Sequence, residues 1–401
     1  MSHLGGVPLP GRVRPSAALG VLDITEWYGD TSGGIRTYLH EKMRHVDGDP
    51  SLRQVLVVPG AEDGWQDTAG TRLYRLHGPP IPRQRPYRFM LATRSVDAIV
   101  RHERPDVIEI GSPFVVPWIV RHATRHLDVP LVCYHHTDLP GMFTPQVGRF
   151  RRVRRVVNRT LWRYLRVLDR CFVRTLVASP SAARDLAAAG IDRVTSVPLG
   201  VDLATFSPAR RAHAAETRRR HALPEGPLCG FAGRFAREKA LDVVLDAWPE
   251  VERRTGARLV LIGAGPMAAR LAAHPYGPRV LFRPFQPERA ALADLLAALD
   301  LYVAPGPIET FGLSAVEAMA CGTPLLSVDR GGVADHVHAS GAGRVYDIGH
   351  PASLAEQAVA LLHGDLPALG RVASAHAARE HAWPAVFARL FAVYRELRTC
   401  A

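Results

Sequence analysis

Lysine is nearly absent from this chain. Of its 50 basic residues only Lys42 and Lys239 are lysines, and the rest are arginines. An Arg- and Ala-rich, Lys-poor composition reads as a coding bias. The formal charge of +12 therefore carries little functional information, and a nucleic-acid partner is not expected from it. Cysteine is also sparse. The five residues at 133, 171, 229, 321 and 400 are scattered, with no CxxC among them. That excludes a disulfide framework and points to reduced thiols in the cytoplasm. No apolar run approaches the roughly 20 residues of a membrane span. The first 20 residues lack the continuous apolar core of a signal peptide, so residues 1–16 read as a Pro/Gly-rich flexible tail.

What is present is length, 401 residues with 47% hydrophobic, enough for two domains. Short apolar runs alternate with helical patterns. ALGVLDI, RQVLVV, VIEI, PLVCYHH and TLVAS read as buried strands, and TSVPLGV closes the first half. PLCGFAG, ARLVLIG, RVLFRP, LDLYVAP, TPLLSV and GRVYDI repeat the scheme. Helices are expected at IRTYLHEKMRHV, PYRFMLATRSVDAIVRH, LDVVLDAWPEVERR and ERAALADLLAAL. Such alternation implies parallel sheets covered on both faces, and hence an α/β protein with two Rossmann-like domains facing a central cleft. The expected division is 17–205 for the first domain and 206–385 for the second. The charged segment 207–222 reads as a linker region. A C-terminal helix, 386–401, could pack on either domain. Ligands of open parallel sheets bind at the carboxyl ends of strands, and the motifs fall at such places.

Gly33 and Gly34 follow the first strand and open a helix, where glycine lets backbone N–H groups approach a ligand closely. The plain alternative is a turn with Ser32 as N-cap. The pair is not a GxGxxG, so a dinucleotide cofactor has little support. Gly233-Arg-Phe-Ala-Arg-Glu-Lys239 also links a strand to a helix. Arg234 and Lys239 there could neutralise a diphosphate in place of a metal ion. In so lysine-poor a chain, Lys239 argues against a merely solvated loop.

The stretch ETFGLSAVE, 309–317, holds two carboxylates eight apart, the first in a loop and the second in a helix. Ser314-Ala-Val-Glu317 fits a capping box, which would explain Glu317 without a ligand. It does not explain Glu309 or the Phe311-Gly312-Leu313 bridge. Two diol-binding carboxylates around a helix start that favours phosphate describe a sugar-nucleotide site.

Together, Glu-x7-Glu after a strand, the GRxxxEK loop, the N-terminal SGG and VPLGVDLATF resemble the retaining glycosyltransferases of family 4, which have the GT-B fold. The match runs in family order from about residue 20 to 385. SGGIRTYL, VPLGVDLATFSP and APGPIETFGLSAVEAMACGTP are most similar to those of GDP-mannose-dependent α-mannosyltransferases acting on phosphatidylinositol mannosides. The resemblance implies that Glu309 binds donor-sugar hydroxyls and Glu317 the ribose. It implies that the amides of Phe311, Gly312 and Leu313 contact sugar or phosphate, and that Arg234 and Lys239 grip the pyrophosphate. Gly33 and Gly34 would approach it from the other domain. It also implies a histidine near the donor sugar; His136 aligns, directly before Thr137-Asp138, with His135 the alternative, and Asp138 would face the acceptor. Ala240 departs from the family, which often has glycine after the lysine.

Retention by double displacement needs a carboxylate nucleophile opposite the leaving group, and none stands out. Front-side attack, with the leaving phosphate as base, asks the protein to position groups and stabilise charge. The expected catalytic set is His136, Glu309, Arg234 and Lys239, with no metal and no cofactor beyond the sugar nucleotide. The base is expected near Gly263–Pro266 and Pro284–Pro287. The acceptor would be a lipid or a glycan.

Residues 149–170 contain nine arginines and one acid, with apolar residues at helical spacing. Such a helix could rest on the anionic inner face of the cell membrane, or simply cover the first sheet with its apolar side. Two other classes are weaker. A nucleotide-sugar epimerase would lack GRxxxEK with Glu-x7-Glu, and a non-catalytic anion or membrane binder would not need Glu309.

Overall fold

The structure, a computed structural model, describes residues 9, 11, 19–29, 33–82, 87–144 and 150–399. Most of the tail 1–16, and Ser32, lie outside the described residues. The chain divides into two compact units. The first comprises 1–178, 182–197 and 387–401; the second comprises 179–181 and 198–386.

Among the described residues the first unit carries an eight-stranded sheet in the order β3-β4-β2-β1-β5-β6-β7-β8. Its strands are β1 (Leu19–Ile24), β2 (Leu52–Gly60), β3 (Gly64–Asp67), β4 (Thr71–His77), β5 (Val107–Ile110), β6 (Leu131–His135), β7 (Arg174–Val177) and β8 (Val194–Ser196). All pair in parallel except β3, which is antiparallel to β4. The two strands missed from sequence are β3 and β4. The four-residue β3 is mostly exposed, so it has no apolar run to show. Helix Thr93–Glu103 is shorter than the stretch expected from 86 onward; Arg88 instead forms a bridge with Pro80.

A polar knot lies inside this apolar unit. Lys42 is fully buried and donates to Asp23 Oδ1 at 2.6 Å, Glu109 Oε2 at 3.4 Å and Tyr394 Oη at 2.9 Å. Gln54 donates to the other Asp23 oxygen at 2.6 Å, and Tyr394 also bonds Glu109. Every charge here has a partner, which is the condition for burying charge at tolerable cost. One of the two lysines is thus structural.

The second unit is built on β9 (Leu228–Ala232), β10 (Arg258–Ile262), β11 (Leu281–Arg283), β12 (Leu301–Ala304), β13 (Leu325–Val328) and β14 (Gly343–Tyr346). Their order is β11-β10-β9-β12-β13-β14, all parallel. The order reverses between β9 and β12, and the loops leaving those two strands flank the crevice where such sheets bind ligands.

Segment 207–222 is not a linker. Arg210 pairs with Asp294 at 2.5 Å, and Arg218 with Asp300 at 2.9 Å and the Ala298 carbonyl at 2.7 Å. These arginines clamp it to helix Arg289–Ala297 and the turn that follows, inside the second unit. The change of unit comes at 197/198 rather than 205. Val201 N bonds the His381 carbonyl at 2.6 Å and Phe206 is buried, which ties this stretch to the second unit. Helix Trp383–Thr399 begins in the second unit and ends in the first.

Candidate functional site

The β9 loop carries Gly233 to Lys239. Gly233 N bonds the Ile262 carbonyl at 2.9 Å, and a side chain at Gly263 would overlap the Gly233 carbonyl. Glycine at 263 therefore lets the β10 loop press on the β9 loop. Arg234 is exposed, and Lys239 sits in a short 3-10 turn, Arg237–Lys239. The next residue, Ala240, has φ +48°. The departure from glycine is felt in the backbone, since left-handed geometry costs a non-glycine residue about 1–2 kcal/mol.

The β12 loop, 305–312, brings Glu309 back to the β9 loop. Lys239 Nζ and Glu309 Oε1 form an ion pair, both side chains about three-quarters buried. A side chain at Gly306 would press within 3.2 Å of the Glu238 carbonyl, so the two loops are in close contact across the switch point. Helix Leu313–Ala320 follows, with Gly312 as its N-cap at φ +88° and no side-chain cap. An added Cβ at Gly312 would lie 2.2 Å from Val333 Cγ2. Both facts require glycine. The first turn of this helix has no side chain on its amides, which suits an anion.

Glu317 overturns the capping-box reading. With Gly312 as N-cap, Ser314 is inside the helix, and its hydroxyl bonds Tyr302 Oη at 2.7 Å. Glu317 is 2% exposed and accepts from Arg289 at 2.8 Å. Burial pushes its carboxyl above the usual range, and Arg289 opposes that rise. Arg289 in turn lies over the Phe206 ring at 4.6 Å. The phenylalanine of VPLGVDLATF thus supports the partner of the second carboxylate.

Sequence reasoning missed Arg289, Tyr302 and the pair Gly331-Gly332. Gly332 N donates to the Glu309 carbonyl at 2.7 Å, and a Cβ at Gly331 would sit 2.7 Å from that same oxygen. This second glycine pair holds the Glu309 backbone. Its signal, GG after a strand, is the one noticed at 33–34.

In the first unit, Gly33 is the N-cap of helix Gly34–Asp47 at φ −76°. A Cβ there would meet nothing within 4 Å. Packing among the described residues does not demand glycine at 33. His136 follows β6, stacked on Tyr134 at 4.1 Å and beside Tyr38 at 5.3 Å. Burial pulls its imidazole down to about 3 and that of His135 to about 4. Both are neutral near pH 7 and can hydrogen-bond but not serve as cations. Asp138 caps the short helix Leu139–Phe143, accepting from Gly141 N at 2.8 Å.

With this geometry in hand, comparison with known proteins is decisive. Residues 32–205 match the family described as Glycosyltransferase Family 4, and residues 226–364 that described as Glycosyl transferases group 1. A GDP-mannose-dependent alpha-(1-6)-phosphatidylinositol dimannoside mannosyltransferase of Mycobacterium tuberculosis is 32% identical over 331 residues, 79% of this chain and 84% of the relative. The chain belongs to glycosyltransferase family 4. This family 4 chain also resembles a D-inositol 3-phosphate glycosyltransferase of Xylanimonas cellulosilytica, 38% identical over 221 residues, 52% of each chain. The sucrose-phosphate synthase of Thermosynechococcus elongatus shares the GT-B fold with a TM-score of 0.78 at 19% identity, covering 95% of this chain and all of that one. The protein is a glycosyltransferase.

Proposed function

We propose that this glycosyltransferase moves mannose from GDP-mannose to a hydroxyl of a glycolipid, with retention and without a metal ion. The observation that carries the reading is the Lys239–Glu309 pair at the switch point, beside the uncapped start of helix Leu313–Ala320. Lys239 and Arg234 meet the diphosphate, and the amides at 311–313 receive the charge that develops on it. Glu309 then exchanges its lysine partner for hydroxyls of the donor sugar, and Glu317 takes the ribose. The acceptor hydroxyl attacks on the face the diphosphate leaves, and a phosphate oxygen accepts its proton. His136, neutral, offers the donor sugar a hydrogen bond. Gly33 and Gly34 leave room for a phosphate, and Asp138 serves the acceptor.

The mycobacterial relative favours GDP-mannose and a lipid acceptor. Helix Arg151–Asp169 favours the lipid acceptor. Only Leu165 and Leu168 on it are buried, and residues 151–156 are exposed on every side. Phe150, Val153 and Val156 are 76%, 41% and 62% exposed among arginines. The apolar-face-on-sheet account covers the C-terminal half of the helix alone. The N-terminal half suits peripheral contact with an anionic membrane. No helix among the described residues is long and apolar enough to cross one. A second reading, a soluble acceptor with a different sugar nucleotide, follows from the D-inositol 3-phosphate relative.

Thermal melts with GDP, UDP and ADP, without metal, test the donor. The expected result is stabilisation of wild type by GDP and not of Glu317→Gln. Selective stabilisation by UDP would overturn mannose transfer from GDP-mannose. No stabilisation by any nucleotide at millimolar concentration would overturn the assignment of this site.

A further inference from the structure

Three histidines converge behind the donor loop, none of them part of the chemistry above. His336 lies on helix Gly332–Ser340, His376 on helix Leu366–Glu380, and His381 just beyond it. All three are buried. One nitrogen from each ring lies within 4.8 Å of the others. The ring centroids are 4.9, 5.5 and 6.5 Å apart. We propose that His336, His376 and His381 form a binding site for one transition-metal ion of the zinc type, which braces the donor loop from behind.

The spacing is close to what such an ion needs. With metal–nitrogen bonds of about 2.0–2.1 Å in tetrahedral geometry, ligand nitrogens stand about 3.3 Å apart and ring centroids about 5 Å apart. Closing the observed triangle takes ring movements of about 1 Å or less.

Outer hydrogen bonds fix two of the rings for this role. His336 Nε2 lies 3.1 Å from the Phe311 carbonyl, and His381 Nδ1 lies 3.1 Å from the Leu199 carbonyl. A carbonyl only accepts, so each of these nitrogens carries the proton and the second nitrogen of each ring carries a lone pair. Backbone carbonyls holding the far N–H are the usual outer support of metal-ligating imidazoles. Burial keeps the His336 and His376 rings below their ordinary range, which favours the neutral form that ligates.

His376 must adjust. Its Nδ1 faces Arg379 at 3.3 Å, a contact in which the guanidinium donates. Binding through Nε2 moves the ring proton to Nδ1 and gives up that long contact, while Arg379 keeps Glu380 at 2.8 Å. Three imidazoles leave a fourth position for water. The ion would not touch the diphosphate. Its effect runs through His336 to the Phe311 carbonyl, and through the Phe311 ring, 4.8 Å from His336 and 5.4 Å from His381. Metal binding would thus tie the donor loop to two C-terminal helices.

The test uses the full, untagged chain, since a histidine tag would bind metal itself. It is stripped with a chelator, then titrated with Zn2+ and Co2+, followed by metal content, thermal melting and visible absorption of the Co2+ form. About one equivalent of metal should stay bound through gel filtration. Added ion should raise the melting temperature, and Co2+ should give the intense ligand-field bands of a four-coordinate site. His381→Phe should lose the metal and the bands. His338→Gln, at an exposed histidine paired with Asp329, should keep both. Folded wild type that retains no metal and shows no shift overturns the proposal, as does retention by His381→Phe or loss by His338→Gln. If His381→Phe does not fold, the wild-type Co2+ spectrum decides: bands of an octahedral, water-rich ion would overturn the site.

Discussion

Arg289 holds the buried carboxylate of Glu317 at 2.8 Å, and it does so while lying on the ring of Phe206. One residue that no motif announced therefore connects two that motifs did. Glu317 can stay ionised in a buried place because a guanidinium faces it.

Removing that guanidinium should raise the Glu317 carboxyl further. A carboxyl whose folded value is raised contributes stability that is present below its unfolded value and lost as pH rises through the folded one. Arg289→Ala should therefore destabilise the protein more as pH rises. We expect about 1–2 kcal/mol near neutrality, reduced from the cost of breaking a fully buried pair because the guanidinium is partly exposed. Melting curves across pH measure this. The donor KM should rise too, with Arg289→Lys between wild type and alanine.

Lys239→Met should leave the fold almost intact and remove charge stabilisation at the diphosphate. Loss of one such group costs on the order of 100- to 1000-fold in turnover. Steady-state kinetics beside a melt would show this separation. A melt that collapses with the rate would mean that the lysine chiefly holds the loops together.

Gly312 and Ala240 make a paired prediction. Both have positive φ, +88° and +48°. Gly312→Ala adds a methyl against Val333 and should cost about 2 kcal/mol or more, with loss of donor binding. Ala240→Gly relieves the backbone, offset in part by greater freedom of the unfolded chain, and should gain up to about 1 kcal/mol. Denaturant titration of the two variants should move the midpoint in opposite directions.

Glu26, at the end of β1, is 3% exposed, and burial pushes its carboxyl up to about 7. Its stabilising contribution is present below about 4.5 and is lost as pH rises through about 7. Glu26→Gln should thus be more stable than wild type above neutral pH, by an amount of order 3 kcal/mol, and the difference should vanish in acid. Paired melts at about pH 5 and pH 9, about 2 units either side of the folded value, are the measurement.

Much of this was legible in the sequence because it is local. The central strands of the second sheet are short apolar runs, as in LCGFA and LYVA, and the motif loops are short links between a strand and a helix. Glu309 and Lys239 could be read from such loops. What escaped was set by distance along the chain. Arg289 meets Glu317 across 28 residues, and only packing reveals it. Gly331 and Gly332 have a visible signal, yet their work is on the Glu309 backbone, 20 or so positions away. The segment 207–222 reads as a linker because it is so charged, while its arginines reach carbonyls just beyond the end of a neighbouring helix.

The bond from Lys42 to Tyr394 spans 352 positions. It makes the first sheet depend on a helix that is synthesised long after it. Until the ribosome has released helix Trp383–Thr399, the sheet holds a lysine and a glutamate whose shared hydroxyl has not yet been made. The first unit is therefore no module to be cut out at residue 197 and studied alone. A fragment ending before residue 387 should be aggregation-prone, and a stop codon within 387–399 should act as a folding mutation of the first sheet.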